Sequence, residues 1–169
     1  GMEYEDLVRL VFESETSRTA SVGAISEDAH WEAIARRLNR PQETDAIRAE
    51  FFAGDVLDCG VVDFIRSLRP RWKTGVISNA WSGMRDFITA QKFDNAFDGL
   101  VMSAEVGVAK PKAEIYLLAL EQLKVSPGEA VFVDDFIENV EGARAVGMSA
   151  IHFKEPETAI AQLKKLLEN

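Results

Sequence analysis

Apolar residues along the chain change their period partway. Up to about residue 60 they recur every three or four positions, the spacing of helices that bury one face. Leu7, Val8 and Val11 predict a helix over residues 4–12. Trp31, Ile34, Ala35 and Leu38 share one helical face, with Glu27 and Asp28 suited to its first turn. Thr44 reads as the cap of a helix carrying Ile47 and Phe51. Residues 14–25 are rich in Ser and Thr and read as a loop. Val61, Phe64, Ile65 and Leu68 repeat the helical spacing, and Pro70 ends that segment. Nothing ahead of a join at residues 60–70 reads as a strand.

Past Pro70 the pattern alternates. Short apolar runs at 73–78, 99–103, 130–134 and 149–153 read as strands. Helical spacing follows each run, over 81–90, 112–124, 137–146 and 156–167, the last with Pro156 in a first turn. Such a succession implies a parallel sheet covered by helices, with right-handed crossovers. The expected fold class is α/β, a Rossmann-like parallel sheet sandwiched by helices. Residues 1–60 are expected to form a helical region and residues 61–169 the α/β core. No internal repeat or low-complexity segment interrupts either part.

Composition adds exclusions. Hydrophobic content of 47% and charged content of 28% describe a soluble globular chain. A formal charge of −9 argues against a nucleic-acid partner. It does not exclude a small anion held by a local cation. The single cysteine, Cys59, cannot form an internal disulfide and reads as a small buried hydrophobe. No run approaches a membrane span, and the acidic first residues lack a signal-peptide pattern, so a cytoplasmic location is expected. Gly1, ahead of Met2, reads as a cloning remnant without structural role.

The chemistry collects at the carboxyl ends of the predicted strands, where parallel α/β sheets bind ligands. One strand ends at Ser78-Asn79. A second leads into Ser103-Ala104-Glu105-Val106-Gly107-Val108-Ala109-Lys110-Pro111. A third ends at Asp134-Asp135. Adjacent carboxylates are costly unless a cation shares them, and Mg2+ prefers such oxygen ligands. Lys110 precedes a proline and is therefore expected to be extended rather than helical. A hydroxyl, a fixed lysine and a metal-holding pair at one sheet edge suit an oxyanion such as phosphate. Each residue alone has an ordinary surface reading. Their order at three successive strand ends is what carries the functional one.

These motifs resemble the haloacid dehalogenase-like (HAD) superfamily of hydrolases, in the branch with a small helical cap inserted early. The matching segments are Val76-Ile77-Ser78-Asn79, Ala104-Glu105-Val106-Gly107 with Lys110-Pro111, and Phe132-Val133-Asp134-Asp135 with Asn139-Val140-Glu141-Gly142-Ala143-Arg144. The resemblance runs from about residue 26 to the end. It implies that Ser78, with Asn79 beside it, binds a phosphoryl oxygen and that Lys110 steadies the transferring group. It implies that Asp134 holds Mg2+ and that Asp135 holds the ion or orients its water. Asn139 is a weaker carry-over, since a cap or loop role suits it equally. The paired aspartates look like the phosphatase type. The expected partner is a small phosphorylated metabolite, with the cap closing over the site. His30, Trp31, Arg36 and Arg37 are cap candidates for substrate selection, although structural or solvent-facing roles fit each of them better. His152 reads as a packed sheet histidine.

The same resemblance exposes a departure. The family's first strand ends in Asp-x-Asp, whose leading carboxylate attacks phosphorus. Here the sequence opens at Met2-Glu3-Tyr4-Glu5-Asp6, and neither Asp6, Asp28, Asp55, Asp58 nor Asp63 follows a strand-like run. No nucleophile is assigned, and the expectation is a truncated, inactive form of a Mg2+-dependent phosphomonoesterase. A non-catalytic binding module and a metal-free 2-haloacid dehalogenase are the alternatives. The resemblance places the absent strand between those ending at Ser78 and Asp134. Direct pairing of these two strands is the expected compensation, ahead of a fill by the N-terminal residues or a strand borrowed from a second copy.

Overall fold

The computed structural model describes residues 3–168, so the reading of Gly1 lies outside the described residues. Helices α1 (Tyr4–Glu13), α2 (Glu15–Ser21), α3 (Glu27–Arg37) and α4 (Thr44–Phe51) come first. Val11, Trp31, Ile34, Ala35 and Ile47 form their shared core, and Leu7, Leu10 and Phe51 pack against it. The apolar spacing read from the sequence is thus what these helices bury. Residues 14–25 are not simply a loop, because α2 occupies much of that stretch. Ser14 caps α2 by accepting from Ser17 N, and the Ser17 and Thr19 hydroxyls donate to the carbonyls of Phe12 and Glu15. The hydroxyls that suggested a loop are spent on capping and back-bonding. Thr44 likewise is not a cap but the first residue of α4, and Glu43 holds the cap position.

Helix α5 (Cys59–Leu68) starts from Asp58, which accepts from Val61 N at 3.0 Å. Cys59 is exposed at its first turn, so its expected burial is corrected. Then follow β1 (Gly75–Ser78), α6 (Met84–Ala90), β2 (Gly99–Met102), the short α7 (Ser103–Val106) and α8 (Ala113–Leu123). The chain ends through β3 (Val131–Asp134), α9 (Ile137–Ala145), β4 (Ser149–His152) and α10 (Pro156–Leu167). Two single-turn 3-10 segments, Asp94–Ala96 and Pro127–Glu129, precede β2 and β3.

The strands pair in parallel as two couples. Gly75 to Ser78 match Gly99 to Met102, and Val131 to Asp134 match Ser149 to His152. No backbone pairing joins β1 to β3 among the described residues, so the expected direct closure does not occur. Nor do the N-terminal residues fill the space, because residues 4–13 are helix α1. The couples are held instead through helices. Helix α8 packs on β1 and β2, α9 and α10 pack on β3 and β4, and α8 also touches α9. Val101, Ile115, Tyr116, Leu120, Phe132 and Ala143 make one core across that junction. A cavity of about 580 Å³ lies between the couples, with Val76, Ile77, Phe132 and Val133 among its walls.

The helical group sits on the carboxyl ends of β1 and β2. Trp81, just past β1, packs into the core of α1–α4. Gly83 N donates to Glu27 Oε2 at 3.0 Å, and Glu27 N donates to the Ser82 hydroxyl at 3.2 Å. Gly23, at φ +74°, lies against the carbonyl of Ala104, where any Cβ would collide.

Candidate active site

Three loops meet where β1, β2 and β3 end. Asn79 follows Ser78, and its side-chain amide grips the main chain of Lys110 from both sides. Its Oδ1 accepts from Lys110 N at 2.7 Å and its Nδ2 donates to Lys110 O at 2.9 Å. Ser103 makes a second tie, with its Oγ accepting from Ala80 N at 3.0 Å. These bonds fix the lysine loop to the loop after β1.

Lys110 in turn reaches β3. Its Nζ donates to Asp134 Oδ2 at 2.6 Å and lies 5.4 Å from the centre of the Phe132 ring. The other oxygen of Asp134 accepts from Phe136 N at 2.9 Å and Asn139 Nδ2 at 2.8 Å. A carboxylate buried this deeply needs such donors, and here each oxygen has one or two. Tyr116 supports the arrangement from α8 by donating its hydroxyl to Asn139 O at 2.8 Å. Burial, with the Asp134 charge adding to it, pushes the Tyr116 phenol up to about 12, so it remains a donor at neutral pH.

Gly142 allows α9 to lie this close. A Cβ there would stand 2.7 Å from Pro111 O and 2.9 Å from the Tyr116 hydroxyl.

Ser78 is half-buried at the last position of β1, beside Met102 in the register. Asp135 is exposed, and its main-chain carbonyl accepts from His152 Nε2 at 2.9 Å. Lys110, Asp134 and Asn79 are therefore joined by direct bonds, while Ser78 and Asp135 are their chain neighbours. Asn139 orients Asp134, a role left open by sequence. Tyr116 has no local signal, because only the tertiary packing of α8 on α9 brings it there.

Of the cap candidates, His30 and Trp31 make their contacts inside the helical group and on Trp81. His30 is fully buried, with Nε2 donating to Val11 O at 3.0 Å and Nδ1 2.9 Å from the Thr16 hydroxyl. Trp31 is a core residue, Arg36 pairs with Glu32 at 3.5 Å, and Arg37 is exposed.

The donor set suits a hard divalent ion. Asp134 and Asp135 offer adjacent carboxylates, one buried and one open to water. No cluster of three or more His, Cys, Asp or Glu ligands forms among the described residues. Mg2+ is commonly held by one or two carboxylates with water and phosphate completing its shell, and the pair fits that pattern.

A family profile described as haloacid dehalogenase-like hydrolase matches residues 4–147. Among curated proteins, bifunctional epoxide hydrolase 2 of Rattus norvegicus is 36% identical over 98 residues, covering 55% of this chain and 18% of that protein. A sesquiterpene phosphatase of Aspergillus oryzae is 41% identical over 71 residues, covering 42% of this chain and 36% of that one. The matches thus span well under half the length of either relative. Among solved structures, a HAD family enzyme of Bacteroides thetaiotaomicron, in complex with magnesium and inorganic phosphate, superposes with a TM-score of 0.79 at 20% identity. It covers 93% of this chain and 83% of that chain, a likeness of fold. No helix among the described residues is long and apolar enough to cross a membrane.

Proposed function

The chain belongs to the haloacid dehalogenase-like hydrolases, and on that premise we propose that it carries the greater part of a phosphomonoesterase site for a small phosphorylated metabolite. The single observation behind this reading is the Lys110–Asp134 contact of 2.6 Å at the carboxyl ends of the strands. Lys110 supplies a fixed cation to a phosphoryl oxygen. Ser78 supplies a hydroxyl donor to another. Asn79 positions Lys110 through its main chain rather than by touching substrate. Asn139 and Tyr116 keep Asp134 from turning away. Asp134 and Asp135 would hold Mg2+, which when bound neutralises charge on the phosphoryl group. The phosphatase activity of the Aspergillus relative and the magnesium and phosphate bound in the Bacteroides structure support the same reading.

Attack in this chemistry comes from an aspartate that forms an aspartyl-phosphate, which water then cleaves. We assign that role to no residue of this chain. Purified 1–169 is accordingly expected to bind phosphate with Mg2+ but to hydrolyse p-nitrophenyl phosphate little or not at all.

Calorimetric titration with inorganic phosphate in Mg2+ tests the reading. Lys110→Met and Asp134→Asn, each checked for folding by circular dichroism, should weaken phosphate binding about tenfold or more. Equal affinity in all three proteins would remove the site from consideration. Robust turnover of p-nitrophenyl phosphate, abolished by Asp134→Ala, would show instead that a residue of this chain makes the attack.

A further inference from the structure

The two adjacent aspartates of the site differ in what they have left to offer. The Asp134 carboxylate already accepts from Lys110 Nζ, Phe136 N and Asn139 Nδ2. A carboxylate has about four lone-pair positions, so little of its capacity remains for an ion. Among the described residues no donor meets the carboxylate of Asp135, which is exposed. Most of the free oxygen of the pair therefore belongs to Asp135. Where that oxygen lies depends on the main chain beneath it.

That main chain is held carbonyl by carbonyl. Asp134 O accepts from Phe153 N at 2.8 Å, which carries the β3–β4 ladder one residue past the register pair of Asp134 and His152. Phe136 O accepts from Asn139 N at 3.1 Å and from Val140 N at 3.2 Å, at the start of α9. Between these two, the Asp135 carbonyl is met by a side chain: His152 Nε2 donates to it at 2.9 Å. A carbonyl can only accept, so Nε2 carries the hydrogen. The bond is exposed, and the sheet does not need it to close this corner, because Phe153 N already extends the ladder. Its effect falls on Asp135. Two planar peptide groups meet at the Asp135 Cα, and holding both fixes the direction of its Cα–Cβ bond. Phe153 N holds the first plane and His152 the second.

We propose that His152 is a positioning residue for the metal pair: by holding the Asp135 carbonyl, it sets the direction in which the Asp135 carboxylate is presented to Mg2+. The inference rests on the phosphoester reading above and adds to it a residue of β4, a strand that otherwise contributes nothing to the site. His152 acts through Asp135 and not on the phosphoryl group. Groups one step behind a metal ligand commonly change its affinity by about ten- to a hundredfold when removed.

The test uses purified 1–169 and Mn2+, which takes the same octahedral oxygen sets as Mg2+. Free Mn2+ is counted by its electron paramagnetic resonance signal, and Mg2+ is then added as competitor. His152→Ala should weaken Mn2+ binding about tenfold or more. His152→Gln returns an N–H donor at similar reach and should recover part of that loss. Urea unfolding of His152→Ala should stay close to that of the unsubstituted protein, since one exposed hydrogen bond adds little to the fold. A large drop in its urea midpoint would make the bond a strut of the fold and overturn the positioning role. Equal loss of Mn2+ binding in the Ala and Gln variants would assign the effect to the ring rather than its N–H, and overturns that role too. Binding weakened by Asp135→Asn but not by His152→Ala overturns the inference and leaves the metal pair standing. Binding indifferent to both Asp134→Asn and Asp135→Asn overturns the metal pair and this inference with it.

Discussion

Lys110 Nζ stands 2.6 Å from Asp134 Oδ2, with the lysine side chain 10% exposed and the aspartate side chain 6%. An ion pair removed from water to this degree is costly to break from one side, because the other charge stays buried without its partner. Lys110→Met should lower the free energy of unfolding by about 3 kcal/mol, read from urea denaturation at unchanged slope. A loss below about 1 kcal/mol would mean that water reaches the pair and that it behaves as a surface bridge.

Gly142 tests the packing behind the same pair. Its missing side chain lets α9 approach within 2.7 Å, measured from an added Cβ, of the Pro111 carbonyl. Gly142→Ala therefore cannot be relieved by a rotamer change, since the obstruction is backbone. We expect a loss of about 1–3 kcal/mol in urea unfolding. Phosphate affinity should weaken in parallel, because the displaced residue is next to Lys110. Full stability with weakened phosphate binding would separate the positioning of Lys110 from the stability of the fold.

The elements after Pro70 were legible because each is short, apolar and followed by helical spacing. The run 130–134 became β3 at Val131–Asp134, and 156–167 became α10 over the same residues. The helical face of Trp31, Ile34 and Ala35 was legible for the same reason. Helix α2 was not, because its hydroxyls bond backwards to the main chain, and composition cannot distinguish that from a loop. The lysine and the carboxylate of the site could be read from their places at strand ends. The clamp of Asn79 on the Lys110 main chain could not, since it depends on two loops 31 residues apart. Gap closure failed as an expectation because it considered only the backbone of β1 and β3. The core that α8 shares with Val101 and Phe132 ties the two couples together without pairing them.

His30 makes a pH prediction. Burial holds its imidazole below the ordinary histidine range, and only its bond to Val11 and the charge of Glu27 oppose that shift. From the surrounding elements, Val11 and Thr16 bond to the ring and Trp81 packs on it. The Val11 carbonyl can only accept, so Nε2 carries the proton and Nδ1 faces Thr16 as an acceptor. Protonating Nδ1 would turn that bond into a conflict unless the threonine rotates.

The sign follows from the proton count. Between the lowered folded pKa and the unfolded value near 6.5, the unfolded chain binds more protons, so stability falls as pH falls. Melting temperatures taken from pH 7.5 down to 5 should decline, and the decline should be smaller in His30→Gln. An equal decline in both proteins would assign the acid sensitivity to other groups.

The two strand couples support the last prediction. β1 pairs only with β2 and β3 only with β4 among the described residues, so one edge of each central strand faces the cavity of about 580 Å³. A strand bonded on one side leaves its outward backbone N–H and C=O groups to water or to nothing. Amide exchange measured within Val76–Ser78 and Phe132–Asp134 should therefore split into two classes. Amides turned toward β2 and β4 should exchange only on large-scale opening, and those turned into the cavity should exchange by local access. The apolar walls should also bind the dye ANS in the native state. Val133, 36% exposed on that wall, accepts the counter-test. Val133→Lys should reduce dye binding at a stability cost within about 1 kcal/mol, because a long side chain there can reach solvent. Uniform protection of all these amides would show that β1 and β3 close on each other in solution, or that another chain covers both edges. Chain mass measured by light scattering separates those two outcomes.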